Sequence, residues 1–254
     1  MLGAEEGLFV VCDGMGGAPA GEVASQMAVE AIFRQLHGAT QEGAASSGEQ
    51  AYLPHTTRLA DAVRHSNEFI YDRAQKDPRQ AGMGTTVVGA WIRQHVAGVA
   101  HVGDSRAYLW HDDRLEALTR DHSLAQAQLA AGLVDRETNI PTEHHNVLVR
   151  ALGREPEVDV ELKEVAVQPG DYVLLCSDGL TRMVPEPVLA EAIVKFQEPQ
   201  RICDYLIEAA NSNGGADNIT VVVVEVAGSW WRSVVNRWKR SVRRGQNAEA
   251  YAAV

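Results

Sequence analysis

Apolar residues recur at helical spacing in two long stretches near the start of the chain. Across residues 21–37, Val23, Met27, Ala28, Ala31, Ile32 and Leu36 share one face. Across 57–75, Leu59, Val63 and Ile70 do the same, so both stretches are predicted helices. Short apolar runs at 8–12, 85–92, 96–102, 106–110, 172–176 and 219–226 predict strands, with Pro169-Gly170 as the turn ahead of the fifth. Residues 185–195 and 200–211 return to helical spacing. The central strands follow one another at hairpin spacing, which predicts antiparallel pairing. Helices and strands cluster rather than alternate, so the pattern reads as α+β and not as a doubly wound parallel sheet.

Composition narrows the function classes. The chain has 254 residues, 45% hydrophobic and 22% charged, which is enough for a sizeable core. Its net charge of −11 argues against general nucleic-acid binding. Three cysteines, Cys12, Cys176 and Cys203, do not make a disulfide framework and fit a reducing compartment as core thiols. No apolar run is long enough to cross a bilayer, and no basic n-region follows Met1, so a cytoplasmic, monomeric protein is expected. The charge is uneven. Residues 229–254 carry six basic groups and one acidic group, a net +5 that leaves −16 on residues 1–228. A boundary is therefore expected at 228. Beyond it Trp230, Trp231, Val234, Val235, Trp238 and Val242 share one helical face, which suits either contact with an anionic membrane or acidic partner, or docking on the chain's own acidic body. Residues 38–50, rich in Gly, Ala, Ser and Glu, read as an exposed loop.

The candidate chemistry lies in acidic residues at strand ends. Asp13 follows Val10-Val11-Cys12 and precedes Gly14. Asp178 follows Leu174-Leu175-Cys176-Ser177 and precedes Gly179. Asp217 stands between Gly215-Ala216 and Asn218, and Asp104 follows Val102-Gly103. Any one of these is an ordinary Asp-Gly turn. Four of them, with no competing Cys/His cluster apparent, point to a hard-oxygen site for Mg²⁺ or Mn²⁺. A different phosphate chemistry is suggested by Cys176 and Arg182, which have the Cys-x5-Arg spacing of thiol phosphatases. Asp178 would repel a phosphate dianion in that loop, and a thiol inside an apolar strand has a raised pKa, so this spacing is read as chance.

In order along the chain stand Asp13-Gly14-Met15-Gly16-Gly17, Gly82-Met83-Gly84-Thr85-Thr86, Val102-Gly103-Asp104-Ser105-Arg106, Leu118-Thr119-Arg120-Asp121-His122-Ser123, Arg150-Ala151-Leu152-Gly153, Ser177-Asp178-Gly179-Leu180 and Gly215-Ala216-Asp217-Asn218. This series resembles the bacterial form of the metal-dependent serine/threonine protein phosphatases, the protein phosphatase 2C family, over roughly residues 7–226. The resemblance implies a four-layer αββα sandwich of two antiparallel sheets flanked by helices. It implies that Asp13 bridges two Mn²⁺ or Mg²⁺ ions, with the Gly14 carbonyl binding one through water and Asp178 and Asp217 holding the other. Asp104 would join Asp178 at a third, weaker site. Water activated between two ions would attack phosphorus in line, with Asp13 and Asp178 central to catalysis. Phosphorylated proteins would be the substrates, opposing a Ser/Thr kinase, and residues 123–149 would form a flap beside the site.

Two departures from the family pattern carry expectations of their own. The family begins with an Arg-bearing strand that clamps phosphate, whereas only twelve residues precede Asp13, among them Glu5 and Glu6. Either the natural chain starts upstream, which is the favoured expectation, or this is a catalytically impaired phosphoprotein-binding member. Met15 stands where some members have a histidine acting as general acid. That leaves the acid unassigned, with His101, His122, His144 and His145 only loose candidates.

Overall fold

A computed structural model describes residues 2–3, 6–15, 18–37, 52–135, 140–141, 144 and 147–228. The expected exposed loop at 38–50 and the basic segment 229–254 lie outside the described residues.

Two antiparallel sheets form the centre. The first runs β1–β2–β5–β6–β9, from β1 (Leu2–Gly3), β2 (Leu8–Val11), β5 (Val87–Arg93), β6 (Val96–Val102) and β9 (Glu161–Ala166). The second runs β11–β10–β7–β8, from β7 (Arg106–His111), β8 (Arg114–Ala117), β10 (Tyr172–Cys176) and β11 (Val221–Glu225). A two-stranded ribbon pairs β3 (Gly14–Met15) with β4 (Gly84–Thr85). Helices α1 (Ala18–His37) and α2 (Pro54–Lys76) cover the first sheet. A short α3 (Leu124–Ala130) and a single turn α4 (Asp178–Thr181) precede α5 (Glu186–Phe196) and α6 (Pro199–Ser212), which cover the second sheet. This is the α+β sandwich, with helices on both outer faces.

The uninterrupted apolar runs have a simple cause: successive strand residues point to opposite faces, and both faces are covered. In β2, Leu8 and Val10 enter the core under α1 and α2, whereas Phe9 and Val11 enter the core between the sheets. In β10, Leu174 and Cys176 face α5 and α6, whereas Val173 and Leu175 face the first sheet. Each fully buried side chain of this size contributes about 1.5–3 kcal/mol.

The elements absent from the sequence reading are edge strands and a short helix. In β8 three of four residues are exposed, and β9 is half-buried along most of its length. One-sided edge strands keep their charged residues and so show no apolar run. Helix α3 lies inside the expected flap segment and is capped by Ser123, whose Oγ accepts from the Gln126 N–H at 3.3 Å. Its neighbourhood is anchored at both ends. Leu124 N–H donates to the Val147 carbonyl (2.7 Å), and Val149 N–H donates to the His122 carbonyl (2.9 Å).

At the rim away from the acidic residues, Asp171 ties the turn before β10. Its Oδ2 accepts from the Gln168 N–H at 2.8 Å, and its Oδ1 lies 2.9 Å from His111 Nδ1. This hydrogen bond to Asp171 raises the His111 pKa. A raised histidine pKa adds stability below the unfolded value, and that stability is lost as pH rises through the folded value. The melting temperature of wild type should therefore exceed that of His111→Gln at pH 5.5, and the difference should shrink by pH 8.5. A difference that grows with pH would contradict the pairing.

Candidate active site

The candidate carboxylates come from four separate segments. Asp13 lies just past β2 and is secured through its backbone. Its N–H donates to Thr86 Oγ1 (3.0 Å), and its carbonyl accepts from the Thr86 N–H (2.8 Å) and from Thr85 Oγ1 (2.9 Å). Thr86 Oγ1 also lies 2.7 Å from Ser105 Oγ, beside Asp104. The Gly-Thr-Thr segment thus joins two of the candidate positions. Gly14 pairs with Thr85 and passes so close to Gly21 of α1 that a Cβ on either glycine would overlap the other's backbone. That contact explains why the first motif extends into the helix.

Asp178 opens α4 directly after β10. Ser177 binds this turn to the Asp217 loop. Its Oγ donates to the Asn218 carbonyl (3.1 Å) and accepts from the Thr220 N–H (3.0 Å), while Ser177 N–H donates to the Thr220 carbonyl (3.1 Å). Gly179 packs against the Asn218 carbonyl with no room for a Cβ. Asp217 Oδ1 accepts from the Asn218 N–H at 2.8 Å.

The four side chains meet. Asp13 and Asp178 are within hydrogen-bonding reach of each other, and Asp178 and Asp217 both press on Asp13 electrostatically. The Arg182 guanidinium contacts Asp178, lies 3.7 Å from Asp104 Oδ2 and 3.6 Å from Asp217 Oδ2. Asp104 and Asp178 are nearly covered, with side chains 9% and 13% exposed, whereas Asp217 at 47% marks the mouth. Burial, and then the neighbouring carboxylates, push Asp13 and Asp104 well above the usual carboxylate range, and burial raises Asp178 as well. One guanidinium does not balance four carboxylates. Asp178 Oδ1 is buried without a hydrogen-bond partner. A crowded set of oxygen donors short of positive charge is the chemistry that hard divalent cations fit.

Several groups with a bearing on the site did not stand out in the sequence. Thr86, Ser105 and Ser177 position the carboxylates through hydroxyls, and a hydroxyl inside a motif carries no signal of its own. Arg182 was visible only as part of a cysteine spacing. Cys176 itself is buried, and burial pushes its thiol up to about 12, so no thiolate is available there. Arg106 is committed elsewhere, to a bidentate pair with Asp121 at 2.7 Å for both bonds.

The histidines need a correction. No Cys/His cluster was apparent in the sequence, yet His101, His122 and Glu161 gather their ligand atoms within 4.8 Å of one another, because His101 and Glu161 are directly paired across β6 and β9. Hydrogen bonding defines a positioning role for His122. Gly103 N–H donates to His122 Nδ1 (3.1 Å), so the ring proton sits on Nε2, which donates to Glu161 Oε2 (3.1 Å). His122 N–H also donates to the Gly103 carbonyl (2.7 Å). To ligate a metal, Nε2 would have to pass its proton to Nδ1 and abandon Gly103. His122, backed by Glu161, instead clamps the residue before Asp104. Burial lowers the His101 pKa to about 3, so it is neutral and no proton donor. His144 Nδ1 lies 3.1 Å from Gln128 Oε1, and His145 lies outside the described residues. His122→Ala should orphan the buried Gly103 N–H and cost about 1–3 kcal/mol in denaturant unfolding. Glu161→Gln keeps an acceptor for Nε2–H and should cost less. Equal losses would refute the clamp.

Comparison with known proteins places this arrangement. The model of the family described as protein phosphatase 2C matches residues 2–217. The serine/threonine phosphatase stp of Listeria innocua is 41% identical over 218 residues, 86% of this chain and 84% of that protein. The crystal structure of the Mycobacterium tuberculosis serine/threonine phosphatase PstP is similar, with a TM-score of 0.76 and 33% identity, over 87% of this chain and 88% of that one. A further structure, of the PstP catalytic domain in complex with two manganese ions, gives a TM-score of 0.71 at 34% identity, with the same coverage. The chain belongs to the protein phosphatase 2C family. It is a protein-serine/threonine phosphatase, and phosphorylated proteins are its substrates. Among the described residues no helix is long and apolar enough to cross a membrane.

Proposed function

We propose that the chain hydrolyses phosphoserine and phosphothreonine in proteins with Mn²⁺ or Mg²⁺ held by Asp13, Gly14, Asp178, Asp217 and Asp104, and that it opposes a Ser/Thr kinase in the cytoplasm. The reading is supported above all by the meeting of four carboxylates from distant segments around the unpartnered Asp178 Oδ1. The manganese complex of PstP supports the choice of ion. When bound, divalent cations supply Lewis acidity, making hydroxide available at neutral pH and neutralising charge on the phosphoryl group. The chain's own residues do the positioning. Asp13 is held by Thr85 and Thr86, Asp178 and Asp217 are tied together through Ser177, and Asp104 is braced through Gly103 and His122. No side-chain nucleophile is required, which agrees with a thiol at Cys176 that burial keeps protonated. In this reading residues 1–228 form the catalytic domain with a flap at 123–149. Residues 229–254 form a basic tail, suited either to an anionic membrane or acidic partner or to the acidic body of the chain itself.

The test is phosphate release from a phosphothreonine peptide. Mn²⁺ should support turnover, EDTA should abolish it, and Cys176→Ser should retain it. Turnover that survives EDTA and disappears in Cys176→Ser would overturn the proposal.

A further inference from the structure

We propose that Arg182 is an internal competitor for the divalent cations: its guanidinium occupies the carboxylates of Asp178, Asp217 and Asp104 in the cation-free protein and gives way when cations bind. The inference rests on the metal reading above and concerns how that site is loaded.

Arg182 follows α4 immediately, four residues after Asp178, so the turn that presents the carboxylate also presents a cation. Its two terminal nitrogens divide the work. Nη2 reaches Asp178 Oδ2 and Asp104 Oδ2, and Nη1 reaches Asp217 Oδ2. Those oxygens belong to three different segments of the proposed site, and a guanidinium in ion-pair contact with them stands where a divalent ion has to approach. Charge leads to the same conclusion. With its four carboxylates ionised, as cation ligation requires, the site with Arg182 in place carries a net −3. Two divalent cations added to that arrangement would leave a net +1, with the guanidinium still on three of the carboxylates. Moving the guanidinium away leaves four negative charges against four positive ones. The side chain has somewhere to go, because it is 34% exposed and lies on the same side as the open Asp217. Its backbone does not need to move, since Arg182 N–H is held by the Asp178 carbonyl at 2.9 Å. Cation binding must therefore overcome a contact that already compensates the site, and the apparent affinity is lower than the carboxylates alone would provide.

Calorimetric titration of Mn²⁺ into the full chain, without substrate, tests this in wild type, Arg182→Met, Arg182→Lys and Asp178→Asn. Arg182→Met keeps an unbranched stem of similar reach but no charge. It should bind Mn²⁺ about tenfold more tightly with unchanged stoichiometry. Arg182→Lys, a cation without the planar fork, should fall between it and wild type. Without cations Arg182→Met should melt below wild type, and saturating Mn²⁺ should narrow that gap. If Arg182→Met binds no more tightly than wild type while Asp178→Asn loses binding, the competition is refuted and the metal reading stands. If Asp178→Asn binds as wild type does, the metal reading fails and the competition with it.

Discussion

Asp178→Asn is expected to lower kcat/KM for a phosphothreonine peptide by about 10³-fold or more, equivalent to about 4 kcal/mol of transition-state stabilisation. The reason is positional. Asp178 is the carboxylate nearest the centre of the cluster, within reach of Asp13, in contact with Arg182, and with one oxygen buried and unpartnered. The substitution keeps shape and removes charge, so its effect on the cation-free fold has a definite sign. Burial raises the Asp178 pKa, which means the ionised form is unfavourable where it sits. Without cations the Asn variant should therefore be at least as stable as wild type at neutral pH. With Mn²⁺ at about 100 times its dissociation constant, wild type should gain about 2.7 kcal/mol and the variant much less. Thermal melts with and without Mn²⁺, beside the peptide assay, read both effects. Equal turnover by the two proteins would remove Asp178 from the chemistry.

Gly179→Ala should have the second largest effect, and through backbone alone. A Cβ at this position would run into the carbonyl oxygen and carbon of Asn218. No flexible side chain is present to yield, so the α4 turn and the Asp217–Asn218 loop must separate. Overpacking of this kind costs about 1–3 kcal/mol. It would also stretch the Ser177 hydrogen bonds to Asn218 and Thr220 and draw Asp178 away from Asp217. A fall in denaturant midpoint should accompany a weaker Mn²⁺ affinity. A variant with wild-type midpoint and wild-type affinity would show that the close approach is not needed.

Legibility differed between elements for physical reasons. Strands buried on both faces, such as β2, β6 and β10, announce themselves as apolar runs, and α1 and α2 announce themselves by spacing. The edge strands β8 and β9 escaped because one face stays near water and keeps Arg114, Glu116, Glu161 and Lys163. The carboxylates Asp13, Asp104, Asp178 and Asp217 were visible because each ends or begins an apolar run beside a glycine or asparagine. Their supports were not. Ser177, Thr86 and His122 act through hydrogen bonds to backbone groups 19 to 73 residues away, and local composition leaves no trace of such a partner.

The order of motifs along the chain was enough to determine the family, the reaction class and the segments that carry acidic chemistry, because those depend on residue type and neighbour. Only the folded chain decided which groups share a space. It brought Arg182 onto three carboxylates, closed His122 between Gly103 and Glu161, and buried the Cys176 thiol beyond use. These outcomes follow from antiparallel register and from two covered sheet faces, which join residues far apart in the chain through contacts that no window of sequence contains.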